Sequence, residues 1–311
     1  MKVLLSSLMT GILSLSLLSA QEPEEDLPKP LITSRVDVVN VLATVRKGDR
    51  EYVANLSRHD FTVYEDGVPQ EIEFFSYQAG EDAQPLTVVL AMDTSGSVKD
   101  KLEFERMAAM EFFNGTLRPN TDLAALVQFD SEINLVQDFT FDLPVLEKAL
   151  GSVRAGGHTK LYDAIYLSVD EMLRHQFGRR VLVVLSDGRD TASSYSREEA
   201  IRKAQEEDVV IFGIGVEGPQ SNPDFGALED MSKATGGDFF KSKVQLARLR
   251  DAFSRINAEI KNQYSIGYVS SNTRNDGKFR EIEVKVRRGG VKVKHREGYY
   301  APSAFADSGS Q

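Results

Sequence analysis

Leu86–Ser97 reads LTVVLAMDTSGS, and this stretch decides the fold. Leu86–Met92 (LTVVLAM) is a continuous, uncharged, largely apolar run, which predicts a strand buried on both faces in a parallel sheet. Asp93, Ser95 and Ser97 follow directly at its carboxyl end. A second run, VLVVL at Val181–Leu185, ends on Ser186-Asp187-Gly188 in the same way. Leu102, Met107, Met110 and Phe113 give Lys101–Phe113 a helical spacing. Strands are expected at Leu123–Phe129, Ile133–Val136 and Val209–Ile214. Helices are expected at Leu143–Val153, Leu161–Leu173, Arg197–Glu207, Asp224–Ala234 and Gln245–Ile260. This alternation over about residues 84–262 predicts an α/β domain with a doubly wound, mostly parallel sheet.

On either side the pattern is purely β. Within residues 31–80, the valine-rich Val36–Val45, DFTVYE at Asp60–Glu65 and EIEFFSY at Glu71–Tyr77 read as strands, with Asp66-Gly67 as a turn. Within residues 263–301, Tyr264–Val269 is strand-like, and Ile282, Val284 and Val286 alternate with charged residues. Gly289-Gly290 then turns the chain into Val291 and Val293. Each segment is too short for a sandwich of its own. The expectation is one flanking, all-β, sandwich-like domain made by both, with the α/β domain inserted.

Residues 1–20 carry Lys2, an apolar run and then Ala20, the pattern of a secretory signal peptide. The reading is an exported, periplasmic or secreted bacterial protein with no transmembrane segment in the mature chain. Residues 21–30 (QEPEEDLPKP) read as a solvated linker and residues 302–311 as a frayed tail. The chain has 311 residues, a net charge of −10 and no cysteine. Acidity argues against a nucleic-acid partner. The lack of cysteine excludes disulfides and thiolate metal sites.

Ligands of open α/β sheets bind at the carboxyl ends of strands. Three segments there carry oxygen: Asp93–Ser97, Gly156-Gly157-His158-Thr159 before the helix at Leu161, and Ser186–Gly188. Two carboxylates and three hydroxyls suit Mg²⁺ or Mn²⁺, with Ca²⁺ admissible. Zinc prefers nitrogen or sulfur, and this set has neither.

Asp93, Ser95 and Ser97, then Thr159 within GGHTKLYDAI, then Asp187 within VLVVLSDGRD, resemble the von Willebrand factor type A family. That family's metal-ion-dependent adhesion site reads D-x-S-x-S, a distant Thr and a distant Asp. The resemblance spans about residues 85–262. It implies metal ligands at Asp93, Ser95, Ser97, Thr159 and Asp187. It further implies an ion left electron-poor by hydroxyl ligands, which takes an Asp or Glu carboxylate from a protein partner. The flanks, LSRHDFTVYEDGVPQEIEFF and the ending from YSIGYV to HREGYYAP, look like exported proteins of an acidobacterial type carrying this domain.

Other readings are weaker. Gly213-x-Gly215-x-x-Gly218 matches a dinucleotide fingerprint, but prolines follow where a helix should open. Ser95 lacks the preceding glycine of a G-x-S-x-G elbow. Asp93 lacks the second aspartate that would resemble a haloacid-dehalogenase-type phosphatase. His158 is the sole weak candidate for a general base, so the chain is expected not to be an enzyme. Lys278–Arg296 holds eight Lys or Arg residues, by default a solvated strand face. The leading expectation is a metal-dependent adhesion module. The alternative is an assembly component of an envelope complex with a dispensable metal site.

Overall fold

The structure, a computed structural model, describes residues 38–48, 51–80, 83–96, 101–217, 223–243 and 245–303. The signal segment, the linker, Ser97 and residues 304–311 of the tail lie outside them. In chain order the strands and helices are β1 (Val38–Lys47), β2 (Glu51–Tyr52), β3 (Phe61–Glu65), β4 (Val68–Gln70), β5 (Ile72–Tyr77), β6 (Leu86–Asp93) and α1 (Leu102–Thr116). Then come β7 (Leu123–Phe129), β8 (Ile133–Thr140), α2 (Leu143–Ser152), α3 (Leu161–Leu167), β9 (Arg179–Ser186), α4 (Arg197–Glu206) and β10 (Val209–Glu217). The last are α5 (Gly226–Ala234), β11 (Phe239–Lys243), α6 (Leu246–Lys261), β12 (Gln263–Val269), β13 (Phe279–Val286), β14 (Lys292–Lys294) and β15 (Gly298–Tyr300).

A six-stranded sheet in the order β11-β10-β9-β6-β7-β8 forms the α/β part. Its pairs are parallel except β7 with β8. All residues of β6 are buried because the sheet is covered on both faces. Leu86, Val88, Leu90 and Met92 pack with residues of α1, α2 and α6. Val89 and Ala91 pack on the opposite face with residues of α3, α4 and α5. From β6 the chain moves outward to β7, whereas from β9 it moves the other way to β10. The sheet therefore has its switch point at β6, where neighbouring loops part and leave a crevice.

The β segments build two further sheets, β14-β1-β12-β5 with β2 on β1, and β15-β13-β3-β4. Their shared core holds Val41, Val63, Tyr264, Ile266 and Val284. The chain leaves by β5 and returns by β12, which pairs antiparallel between β1 and β5. The described residues belong to one compact unit. Among them no helix is long and apolar enough to cross a membrane.

The structure adds β2, β4, β11 and β15 to the expected strands and carries the strand expected at Ile133–Val136 on to Thr140. The helix expected over Leu161–Leu173 gives way after Leu167 to a π turn (Ser168–Met172) and a 3₁₀ turn (Leu173–His175). The wider turn keeps both Val169 and Leu173 fully buried. β11 was not anticipated: five residues with an alternating pattern give too short a signal, and pairing with β10 creates the strand.

Candidate metal centre

The last aligned pair of β6 and β9 is Met92 with Leu185. One step on, Asp93 stands beside Ser186, whose hydroxyl donates to Asp93 Oδ2 at 2.6 Å. The backbone N–H of Ser95 donates to Asp93 Oδ1 at 2.9 Å, a local Asx turn. Both oxygens are thus oriented before any ligand arrives. Asp187 follows Ser186 immediately, close enough for its charge to act on Asp93. Asp93 is 1% exposed and Asp187 4%.

Neighbouring loops are stitched to this corner by their backbones. The Thr94 N–H donates to the Phe129 carbonyl at 2.8 Å, and the Thr94 hydroxyl reaches Asp130 Oδ2 at 3.1 Å. The Gly156 N–H donates to the Thr94 carbonyl at 2.6 Å, and the Gly96 N–H to the Gly157 carbonyl at 3.3 Å. Gly157 has φ +84, and a Cβ there would come within 2.7 Å of Ser131 Oγ, so only glycine fits this approach. Thr159, two residues on, is buried. Its N–H donates to Thr191 Oγ1 at 3.0 Å, while its carbonyl accepts from the N–H groups of Thr191 and Ala192. This ties the Thr159 loop to the Asp187 loop. Asp190 completes the tie by capping α3, accepting from the Leu161 N–H at 2.8 Å.

The structure therefore brings together the segments that carry Asp93, Ser95, Thr159 and Asp187. Ser97 lies outside the described residues. Ser186, read in the sequence only as part of the Ser186-Asp187-Gly188 motif, joins the site because β9 lies beside β6. Among the described residues no group of three or more His, Cys, Asp or Glu could hold a metal. The donor chemistry explains this: the set combines two carboxylates with hydroxyls, not three acids.

Electrostatics favour a cation here. Burial pushes the Asp93 carboxyl above its ordinary range. Hydrogen bonds from Ser186 and Ser95 oppose that shift, and repulsion from Asp187 adds to it. A divalent ion would relieve both the burial cost and the repulsion, so the residues present fit one. Near them lie two buried ionisable residues, Lys101 at the N-cap of α1 and Glu105 within it. Lys101 is 1% exposed and donates through Nζ to the Val216 carbonyl at 3.0 Å. Glu105 is 2% exposed, and its Oε2 has no hydrogen-bond partner among the described residues. Burial raises the Glu105 carboxyl to about 8; Lys101 opposes the shift, while Asp93 and Asp187 reinforce it.

The remaining motifs resolve structurally. Gly213 and Gly215 lie inside β10, where a Cβ on Gly215 would run into the rings of Phe225 and Phe239 at 2.6 Å. They make room for aromatic packing. His158 is exposed in its loop. Four of the eight basic residues of the strip are held in ion pairs: Arg280 with Asp276, Lys285 with Glu283, Lys294 with Asp238, and Arg296 with Asp208.

The class is thus an α/β domain that gathers oxygen-bearing side chains at the switch point of its sheet. The sequence profile of the von Willebrand factor type A domain matches residues 87–255, and this chain belongs to that family. Integrin alpha-X of Mus musculus is 30% identical over 147 residues, which is 43% of this chain and 12% of that protein. Proximal thread matrix protein 1 from the mussel byssus shares the fold with a TM-score of 0.52 at 15% identity, over 63% of this chain and 50% of that one. A form of it with a zinc-occupied MIDAS motif matches with the same TM-score over 63% and 49%. BatB from Bacteroides thetaiotaomicron gives a TM-score of 0.49 at 16% identity, over 57% of this chain and 100% of that one.

Proposed function

We propose that this protein is an exported, non-catalytic binding module. Asp93, Ser95, Ser97, Thr159 and Asp187 hold a divalent ion, Mg²⁺ in the first instance, which takes an Asp or Glu carboxylate from a protein partner. The observation that carries this reading is the buried Asp93 carboxylate, held by Ser186 and Ser95 and close to a second aspartate at the switch point. Hydroxyl and carboxylate oxygens suit Mg²⁺ or Mn²⁺, with Ca²⁺ admissible. The zinc-occupied MIDAS of the mussel protein brings zinc into the comparison as well. Export rests on the signal-like pattern of residues 1–20.

The test is thermal unfolding with Mg²⁺, Mn²⁺, Ca²⁺ or Zn²⁺ titrated into metal-free protein. Wild type should gain about 2.7 kcal/mol of stability at a hundredfold excess over Kd. Asp93→Ala should gain none. An unchanged wild-type midpoint, or equal metal response in the variant, refutes the site. Partner capture from envelope extract with and without EDTA separates this role from that of an assembly component, whose capture would be insensitive to metal.

A further inference from the structure

A second cavity lies where the β sheets meet α6, built from residues that play no part in the metal centre. Its volume is about 200 Å³, and Arg46, Tyr52, Phe240, Asp251, Ser254 and Arg255 line it. The two guanidinium groups differ in their commitments. Arg46 stands over the Tyr52 ring, 5.1 Å from its centroid, and is bound through Nη2 to Asp238 at 2.8 Å and to Glu259. It belongs to an ion-pair group with Asp238 and Glu259 that Lys294 completes. Arg255 stands over the Phe240 ring, 4.5 Å from its centroid. Among the described residues it makes no hydrogen bond and no ion pair.

Arg255 thus presents a guanidinium held against an aromatic face at the cavity wall. Ring contact restrains the fork, so less side-chain entropy is lost when it engages an anion. The N–H groups of a guanidinium match the two oxygens of a carboxylate. The hydroxyls of Ser254 and Tyr52 supply neutral donors on the same walls. Asp251 is the acidic group among the lining residues, and it has a partner of its own. Its charge penalises a dianion more than a monoanion, which favours carboxylate over phosphate. A cavity this small admits a side chain or a small molecule, not a drug-sized ligand.

We propose that this cavity is a carboxylate-binding site, with Arg255 as the anchoring cation and Ser254 and Tyr52 as supporting donors. Its ligand is either a free small carboxylate or the acidic side chain of another protein. Its lining residues come from β1, β2, β11 and α6, and none of them belongs to the metal centre.

The experiment uses the full chain in EDTA, so that no metal can capture the probes. Butyrate, a blocked peptide with a single glutamate, and inorganic phosphate are titrated separately while backbone amide resonances are followed. Binding of butyrate or of the peptide, with shifts centred on Ser254 and Arg255, supports the proposal. The tighter of the two identifies the source of the carboxylate. Arg255→Gln should weaken that binding about tenfold or more, the effect of losing one charge-assisted pair. Arg255→Lys should retain part of it. Both variants should keep the wild-type circular dichroism and the same midpoint shift on adding Mg²⁺. Equal affinity in wild type and Arg255→Gln overturns the proposal. So does tighter binding of phosphate than of either carboxylate, or the absence of shifts at Ser254 and Arg255.

Discussion

Replacing Glu105 by Gln isolates the proton held near the metal centre. Glu105 sits at about 8 instead of its ordinary 4.5, first because it is buried and then because Asp93 and Asp187 repel it. Between those values the folded protein keeps a proton that the unfolded chain has lost. Stability attributable to Glu105 is therefore complete below pH 4.5, falls as pH rises toward about 8, and is level beyond. A shift of this size corresponds to at most about 5 kcal/mol. Glutamine copies the protonated side chain and carries no such slope. Urea unfolding across this pH range, in EDTA, should give wild type and Glu105→Gln equal stability at the acid end. The variant should become progressively more stable toward the alkaline end, with a gap of several kcal/mol. Other titrating groups, Asp93 among them, are present in both proteins, so the difference curve reports Glu105. Adding Mg²⁺ should flatten the wild-type slope, because cation charge at Asp93 and Asp187 offsets their repulsion. Parallel pH profiles for the two proteins would refute the reasoning and place Glu105 in contact with water.

Two more substitutions test the scaffold. Gly188 has φ +84, and a Cβ there would lie 2.0 Å from the Asp224 carbonyl oxygen, so Gly188→Ala should cost at least about 2 kcal/mol. Urea melts read the cost, and the same variant should lose the Mg²⁺ response because the neighbouring Asp187 is displaced. Glu259 is fully buried and pairs with both Arg46 and Lys294. Glu259→Gln leaves those cations under-compensated and should lose about 3–5 kcal/mol, measured by the same melts. A loss within experimental error would show that Asp238 alone balances both.

The strands that carry the site were legible because their signal is local. LTVVLAM and VLVVL have no polar face, so each reads as a doubly covered strand, and whatever follows such a strand stands at the sheet edge where ligands bind. That reasoning located Asp93 and Asp187 without any knowledge of pairing. What it could not give was the partner across the sheet. The hydroxyl of Ser186 meets Asp93 only because β9 lies next to β6, a fact of topology and not of spacing. β11 was missed for a related reason, since its strand character comes from β10.

Charges were the least legible feature. Lys101 and Glu105 are four apart on a helix, the pattern of a solvated surface pair, yet both are buried. The basic strip after Lys278 reads as one wet face, yet Lys294 and Arg296 reach acids of the α/β part. These contacts have one consequence for the architecture. Arg179 opens β9 and donates through Nη1 to the Ile260 carbonyl at 2.6 Å, at the point where α6 passes into β12. The same strand ends at Ser186, beside Asp93, with Asp187 next. One fully packed strand thus anchors the junction with the β sheets at its start and the metal centre at its finish. Because a close-packed strand does not stretch, the position of Asp187 is set relative to the junction as well as to its own loop.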